Sequence, residues 1–478
     1  MSFPRGPASL RGRRRARYSA RYSRLAPVRP ASLRDGRGAR YGGLAPVRTG
    51  GPRGIGGTGR TGRMGGTGRM GGTGRGGTGG IGGTGRAGGT GPAWRPESLL
   101  RRAAGAASAM RHLDWILLAA TAGLSLMGTL LVWSATEPAL AQAGDDPRAY
   151  LYKQLVNIGL GLIFLLIVSA LDYRQLRRCV PLVYAASCLG LIAVLTPLGS
   201  TVNGAHSWIA LPGGFELEPS EYAKLAIIGV SAMILGELRQ GETRPRPRAA
   251  ALAAAAAAVP LALVVEQPDL GVTILMVALL IGMIAISGIR LRWLAGCGAA
   301  ALAIAAGAVR LHLLRSYQLR RLTSFLNPSA DPRGTGYSAA QAKIAIGSGG
   351  VFGQGLFHGS LVAGNFVPEQ HTDFIFAVAG EELGFAGTIT IIALIALLLI
   401  RSLRIAVRAD DQFGLLVASG IAIWFALQAF INIGMTIGIM PVTGLPLPFV
   451  SYGGSAMFAD MIAIGVLQAV HRRHSVFD

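Results

Sequence analysis

Ten stretches of the chain stay apolar long enough to form spanning helices: 114–135, 152–171, 179–197, 221–236, 249–266, 270–289, 292–311, 374–400, 412–439 and 449–470. A helix crosses a bilayer with roughly 20 mostly apolar residues. The pattern therefore predicts an all-α integral membrane protein of about ten transmembrane helices, with one large loop between the seventh and the eighth. That loop, 312–373, mixes apolar residues, aromatics and glycines. Loops beyond about 15 residues are usually functional or disordered, and this composition predicts an ordered lid on the membrane interface. Elsewhere the pattern is broken most sharply at VVEQPDLGVTIL (264–275), where Glu266, Gln267, Pro268 and Asp269 sit between two uncharged runs.

The loops sort by charge. DYRQLRR (172–178), RQGETRPRPR (239–248), GIRLR (288–292), RSLRIAVR (401–408) and HRRH (471–474) are basic, and they alternate with the basic-poor loops 136–151, 198–220, 266–269 and 440–448. Basic loops stay in the cytoplasm. Both termini are then expected inside, and EQPD, the other basic-poor loops and the long segment 312–373 outside, the last despite its arginines because long loops follow the rule poorly.

Charge also divides the chain. Residues 1–110 hold 22 Arg against Asp35 and Glu97, a net +20 of the chain's +23. GGTGR recurs at 56–60 and again ending at Arg69, Arg75 and Arg86. Such a Gly/Arg segment buries too little apolar surface to offset its ordering entropy, so a disordered cytoplasmic tail is expected. It suits attraction to anionic membrane lipids or nucleic acid; the plainer alternatives are a solvated tail, or translation from Met110. No nucleic-acid partner is expected. The membrane body is 111–478, with no cleavable signal peptide visible ahead of the first apolar run. Cys179, Cys188 and Cys297 all lie in apolar runs, which points to neither a disulfide framework nor a metal site.

Two polar clusters are candidates for chemistry. Asp269 heads an apolar helix, where it either caps backbone N–H groups or serves as a partly desolvated general base. In FELEPSEYAK (215–224), Glu218, Glu221 and Lys224 share a helix face, and Pro219 suits a first helical turn. That cluster is either an acidic helix start with an internal ion pair, or a carboxylate held by Lys224 beside a metal or a diphosphate. Ionisable groups within spanning helices are costly and default to function. Lys224, at the edge of a spanning helix, belongs to that class, whereas Glu381, Glu382 and Asp460 are open to a structural reading as groups paired with a neighbouring helix, Asn432 being a candidate partner. His371 and Asp373 close the lid.

NIGMTIGIMPVTGLPLPFVSYGGSA (432–456) resembles the signature of the shape, elongation, division and sporulation (SEDS) family, which comprises RodA, FtsW and SpoVE. NGAHSWIALPGGFELEPSEYAK (203–224), PDLGVT (268–273), NPSADPRGTGYSAAQAKIAIGSGG (327–350) and FVPEQHTDFIFAVAGEELGFAG (366–387) are similar to the family's other blocks. GSGGVFGQGLFHG and FVPEQHTDFIF are more similar to the RodA branch. The resemblance implies a peptidoglycan glycosyltransferase of the bacterial plasma membrane acting on lipid II, a disaccharide-pentapeptide on undecaprenyl diphosphate. It implies Asp269 as the catalytic Asp, Glu221 and Lys224 as its sensitive Glu and Lys, and a class B penicillin-binding protein as transpeptidase partner. Asp460 departs from the family pattern, which wants an apolar or aromatic residue there.

Polymerisation needs a base for the acceptor hydroxyl and cations for the departing diphosphate. Asp269 is the expected base, acting with inversion. Lys224, Arg320 or Arg321, or a divalent ion (Mg²⁺ or Mn²⁺) with no ligands fixed by the sequence, is the expected countercharge. Glu218, His371, Asp373, Ser451 and Tyr452 are expected to contact substrate. The rival readings are a lipid II flippase with a polar path through Glu381, Glu382 and Asp460, and a noncatalytic scaffold.

Overall fold

The computed structural model describes residues 113–202, 205–211, 215–237, 245–311, 316–326 and 334–475. The basic tail and the alternative start at Met110 lie outside the described residues.

The first six apolar runs become α1 (Trp115–Ala143), α2 (Ala149–Ala170), α3 (Tyr173–Val194), α4 (Pro219–Leu235), α5 (Pro247–Glu266) and α6 (Leu270–Ile286). After α7 (Leu291–Arg310) comes the lid, with α8 (Ser316–Leu326), α9 (Thr335–Ser348) and the single turn α10 (Ser360–Ala363). The chain closes with α11 (Ile375–Glu382), α12 (Gly384–Val407), α13 (Gln412–Ile437) and α14 (Gly454–Ser475). Among the described residues seven helices, α1, α2, α3, α5, α12, α13 and α14, are long and apolar enough to cross a membrane, while α4, α6 and α7 fill the other three expected spans. The protein is thus a multi-pass helical membrane protein. α13 and α14 are central, with 72% of their apolar windows buried against 22% for α2 and α3. Aspartates stand at the N-cap of α1, α3, α6 and α13, as expected of a side chain that accepts the free N–H groups of a first turn: Asp114 accepts from Leu117, Asp269 from Val272 and Asp411 from Gly414.

The structure differs from the helical expectation in three places. The loop 198–220 contains a three-stranded antiparallel sheet, β1 (Gly199–Val202), β2 (Ala205–Leu211) and β3 (Phe215–Leu217), in the order β1-β2-β3. It is tied to the polar knot, because His206 N–H donates to the Gln267 carbonyl (3.2 Å) while the buried Gln267 side chain donates to Leu191 O (3.0 Å). The run 374–400 is two helices, broken at Leu383–Gly384. Gly384 has φ +66°, and a Cβ there would stand 2.2 Å from the Gly353 nitrogen, so the break needs glycine. The last run starts late: residues 449–453 belong to the signature turn, with Phe449 at φ +63°, and the helix begins at Gly454.

The intramembrane acids hold these irregular segments. Glu381 accepts from the Leu361 and Val362 N–H groups (2.7 and 3.1 Å) and caps α10. Glu382 accepts from Ser134, whose hydroxyl in turn accepts the Phe357 N–H. Asp460 accepts the Phe449 N–H (3.3 Å), and Asn432 donates to the carbonyls of Asp373 and Leu445 (2.9 and 2.8 Å).

Candidate active site

At one end of the bundle a cavity of about 260 Å³ is lined by residues from the four basic-poor loops and from the long segment 312–373: Tyr150, Trp208, Asp269, Thr443 and His371 represent one each. Asp269 stands at the N-terminus of α6. Its Oδ1 accepts the Val272 N–H (3.0 Å), so it caps the helix and lines the cavity at once. Gly271 makes this possible, since a Cβ there would lie 2.6 Å from the Thr443 carbonyl of the signature loop. The lid helix α8 docks on the same spot: Gln318 donates to Pro268 O (3.1 Å) and Arg321 to Thr443 O (3.1 Å).

The lining is acidic. Glu216, Glu218, Glu221, Asp269, Glu369 and Asp373 face Arg321. Burial pushes the Asp269 carboxyl above the ordinary aspartate range, opposed by the Val272 hydrogen bond and the Arg321 guanidinium. Burial, then the charges of Glu221 and Asp269, lifts Glu218 to about 8. Burial and Glu369 lift Asp373 to about 7, again against Arg321. Burial lowers the His371 imidazole, whose ring stacks edge-on against Tyr150 (centroids 5.2 Å). Tyr150 in turn meets Tyr452 (4.8 Å), giving the cavity an aromatic wall.

Glu218, Glu221, Asp269, Arg321, His371, Asp373 and Tyr452 come together here. Lys224 is fully buried behind Glu221 and outside the lining; its ammonium contacts Glu221 (2.6 Å), Gln428 (3.0 Å) and the Trp424 face (4.8 Å). Arg320 is exposed and outside the lining. Ser451 is buried in the signature turn, donating to Thr372 O (2.6 Å) and accepting from Leu447 N–H (2.8 Å). Sequence reasoning missed Asn157 and Trp208, which also line the cavity. Nothing in the polar pattern marks Trp208, whereas Asn157 is a polar residue inside an apolar run and carried that signal unread. Among the described residues no three His, Cys, Asp or Glu side chains are arranged to hold a metal ion.

A family model described as cell cycle protein, covering FtsW, RodA and SpoVE, matches residues 113–476. An FtsW of Trichlorobacter lovleyi, named a probable peptidoglycan glycosyltransferase, is 38% identical over 74% of this chain and 92% of its own. The peptidoglycan glycosyltransferase MrdB of Escherichia coli is 36% identical over 75% and 94%. A solved structure from a peptidoglycan synthase complex that coordinates polymerization and crosslinking aligns with a TM-score of 0.63 and 30% identity, over 76% of this chain and 98% of that one. With the signature loop, the PDLG aspartate and the lid converging on one cavity, the chain belongs to the FtsW/RodA/SpoVE family.

Proposed function

We propose that this protein is a peptidoglycan glycosyltransferase that polymerises lipid II, with Asp269 as general base. The supporting observation is the position of Asp269: one carboxylate oxygen is committed to the helix cap, and the residue lines a cavity built from the five loops expected outside the cell. Lipid-linked sugars lie at that surface, so we read the cavity as extracytoplasmic and both termini as cytoplasmic.

In this reading the second oxygen, Oδ2, takes the proton of the acceptor sugar hydroxyl. The hydroxyl oxygen attacks the donor's anomeric carbon, the bond from that carbon to the diphosphate oxygen breaks, and the diphosphate leaves with the electron pair. A single displacement inverts the anomeric centre, since no carboxylate nucleophile is used. A raised pKa suits Asp269 to this task, because a base near the working pH transfers protons most effectively. Arg321 lines the cavity, and in this reading its guanidinium meets the diphosphate. Lys224 acts indirectly, fixing Glu221 through a buried ion pair. Mg²⁺ or Mn²⁺ carried in on the diphosphate is a separate proposal, tested by loss of activity in EDTA and its return on adding metal.

Glu381, Glu382 and Asp460, on which a flippase path would rely, are outside the cavity lining and engage loop backbone or Ser134. A class B penicillin-binding protein is the proposed crosslinking partner, and the two RodA-like blocks favour a role in elongation, for which depletion should give rounded cells. The deciding assay is glycan synthesis from lipid II by purified protein in detergent, where membrane sidedness is lost. Wild type should make strands and Asp269→Asn should make none, as the amide keeps the cap but cannot accept a proton. Near-normal activity of Asp269→Asn would return Asp269 to a purely capping role. No synthesis by wild type, alone or with its partner, would favour the flippase or scaffold.

A further inference from the structure

One stripe of α2 faces the cavity and is unexplained by the mechanism above. Tyr150, Gln154 and Asn157 are spaced i, i+4, i+7 and so share a helix face. Tyr150 and Asn157 line the cavity, and Gln154 lies between them on the stripe. Gln154 is 0% exposed and Asn157 2%. Both polar atoms of Gln154, and Oδ1 of Asn157, have no hydrogen-bond partner among the described residues. Orphaned polar groups inside a packed bundle are costly, and Asn157 is the member of this pair that lines the cavity a ligand would enter. Across from Asn157 is Gly454; a Cβ there would lie 3.2 Å from Asn157 Oδ1, so glycine keeps the carboxamide open.

The chemistry of the cavity narrows the ligand. Ionised carboxylates only accept hydrogen bonds, and Arg321 only donates. A carboxamide offers an acceptor and two donors without charge, which matches the N–H and C=O of a secondary amide. Resting on the glycosyltransferase reading, we propose that Asn157, backed by Gln154 and admitted by Gly454, binds the acetamido group of an N-acetylated amino sugar and so sets the specificity of the cavity.

The test compares lipid II with lipid II whose amino sugars have been de-N-acetylated. Polymerisation is measured by kcat/KM, and binding by the thermal shift each lipid gives in detergent, which needs no turnover. Wild type should prefer the acetylated lipid by about tenfold or more, as loss of one buried hydrogen-bonded group implies. Asn157→Val, close in volume, should abolish the preference chiefly through KM. Its ligand-free Tm should hold or rise, because an orphaned polar group has gone; a fall would show that Asn157 is satisfied within the fold and overturn the proposal. Should Asn157→Val fail to fold, Gly454→Ala, which crowds the carboxamide, should give the same loss. Equal use and binding of both lipids by wild type, or an unchanged preference in the folded variants, would overturn it as well. If wild type does not polymerise yet its binding still discriminates, the recognition stands and the proposed reaction falls.

Discussion

Asp269 caps α6 through Oδ1, and the general-base role proposed for it is separated from that cap by its dependence on pH. Its carboxyl is raised above the ordinary value of 3.8, and the base must be ionised to act. Activity should therefore fall as pH drops through a limb lying above the usual aspartate range, measured as kcat/KM against pH. A limb near 3.8 would mean that another group is the base. Glu218 gives a stability test with the opposite dependence. Its folded pKa of about 8 exceeds the ordinary 4.5, so its contribution to stability is complete below about 4.5 and is lost as pH rises through about 8. The Glu218 contribution to the Tm of wild type should fall between about pH 4.5 and 8, and Glu218→Gln should flatten that fall. Lys224 is tested by charge balance. Lys224→Ala leaves Glu221 buried and unpaired, at a cost of about 3–5 kcal/mol. Glu221→Gln combined with Lys224→Met should recover most of the Tm without recovering activity. A double variant as active as wild type would mean that the pair only supports the fold.

At the scale of elements, the feature that composition hides is the break between α11 and α12. Glu381 spends both oxygens on the first turn of α10, while Gly353 and Gly384 let two backbones approach. Glu381→Ala should cost about 0.5–2 kcal/mol as a lost cap, read as a lower Tm and faster proteolysis within 349–366. Unchanged protease sensitivity would show that α10 stands without it. The same anchoring gives the acids in the apolar runs a structural task. Glu381, Glu382 and Asp460 satisfy N–H or hydroxyl groups that irregular backbone leaves unpaired, and a spanning bundle has no water to satisfy them instead.

For the whole molecule, the basic tail and the helical body are separable by composition. Deleting residues 1–109 should leave glycan synthesis in detergent unchanged, since the tail has no apolar run to pack against the bundle. Its attraction to anionic lipid, about 1 kcal/mol per Arg held at the surface, should appear only as salt-sensitive membrane binding. Lost synthesis at equal expression would mean that the tail reaches the active body. Assembly with a crosslinking partner is a further property of the whole, to be read by co-purification with a class B penicillin-binding protein.

Most of the apolar helices, and the set of loops that line the cavity, were legible in the sequence, because burying apolar length is a local demand on each segment. The sequence also marked Asp269, since Pro-Asp ahead of a long apolar run is a helix start whatever surrounds it. The tertiary structure puts Lys224 behind Glu221 and not in the cavity, brings Arg321 and not Arg320 to it, and leaves Oδ1 of Asn157 without a partner among the described residues. Adjacent arginines point to different sides of α8, and which side faces the cavity depends on where Gln318 meets the Pro268 carbonyl. Those choices rest on contacts between residues far apart in the chain, such as Arg321 with Thr443 and Lys224 with Gln428, which no local pattern encodes.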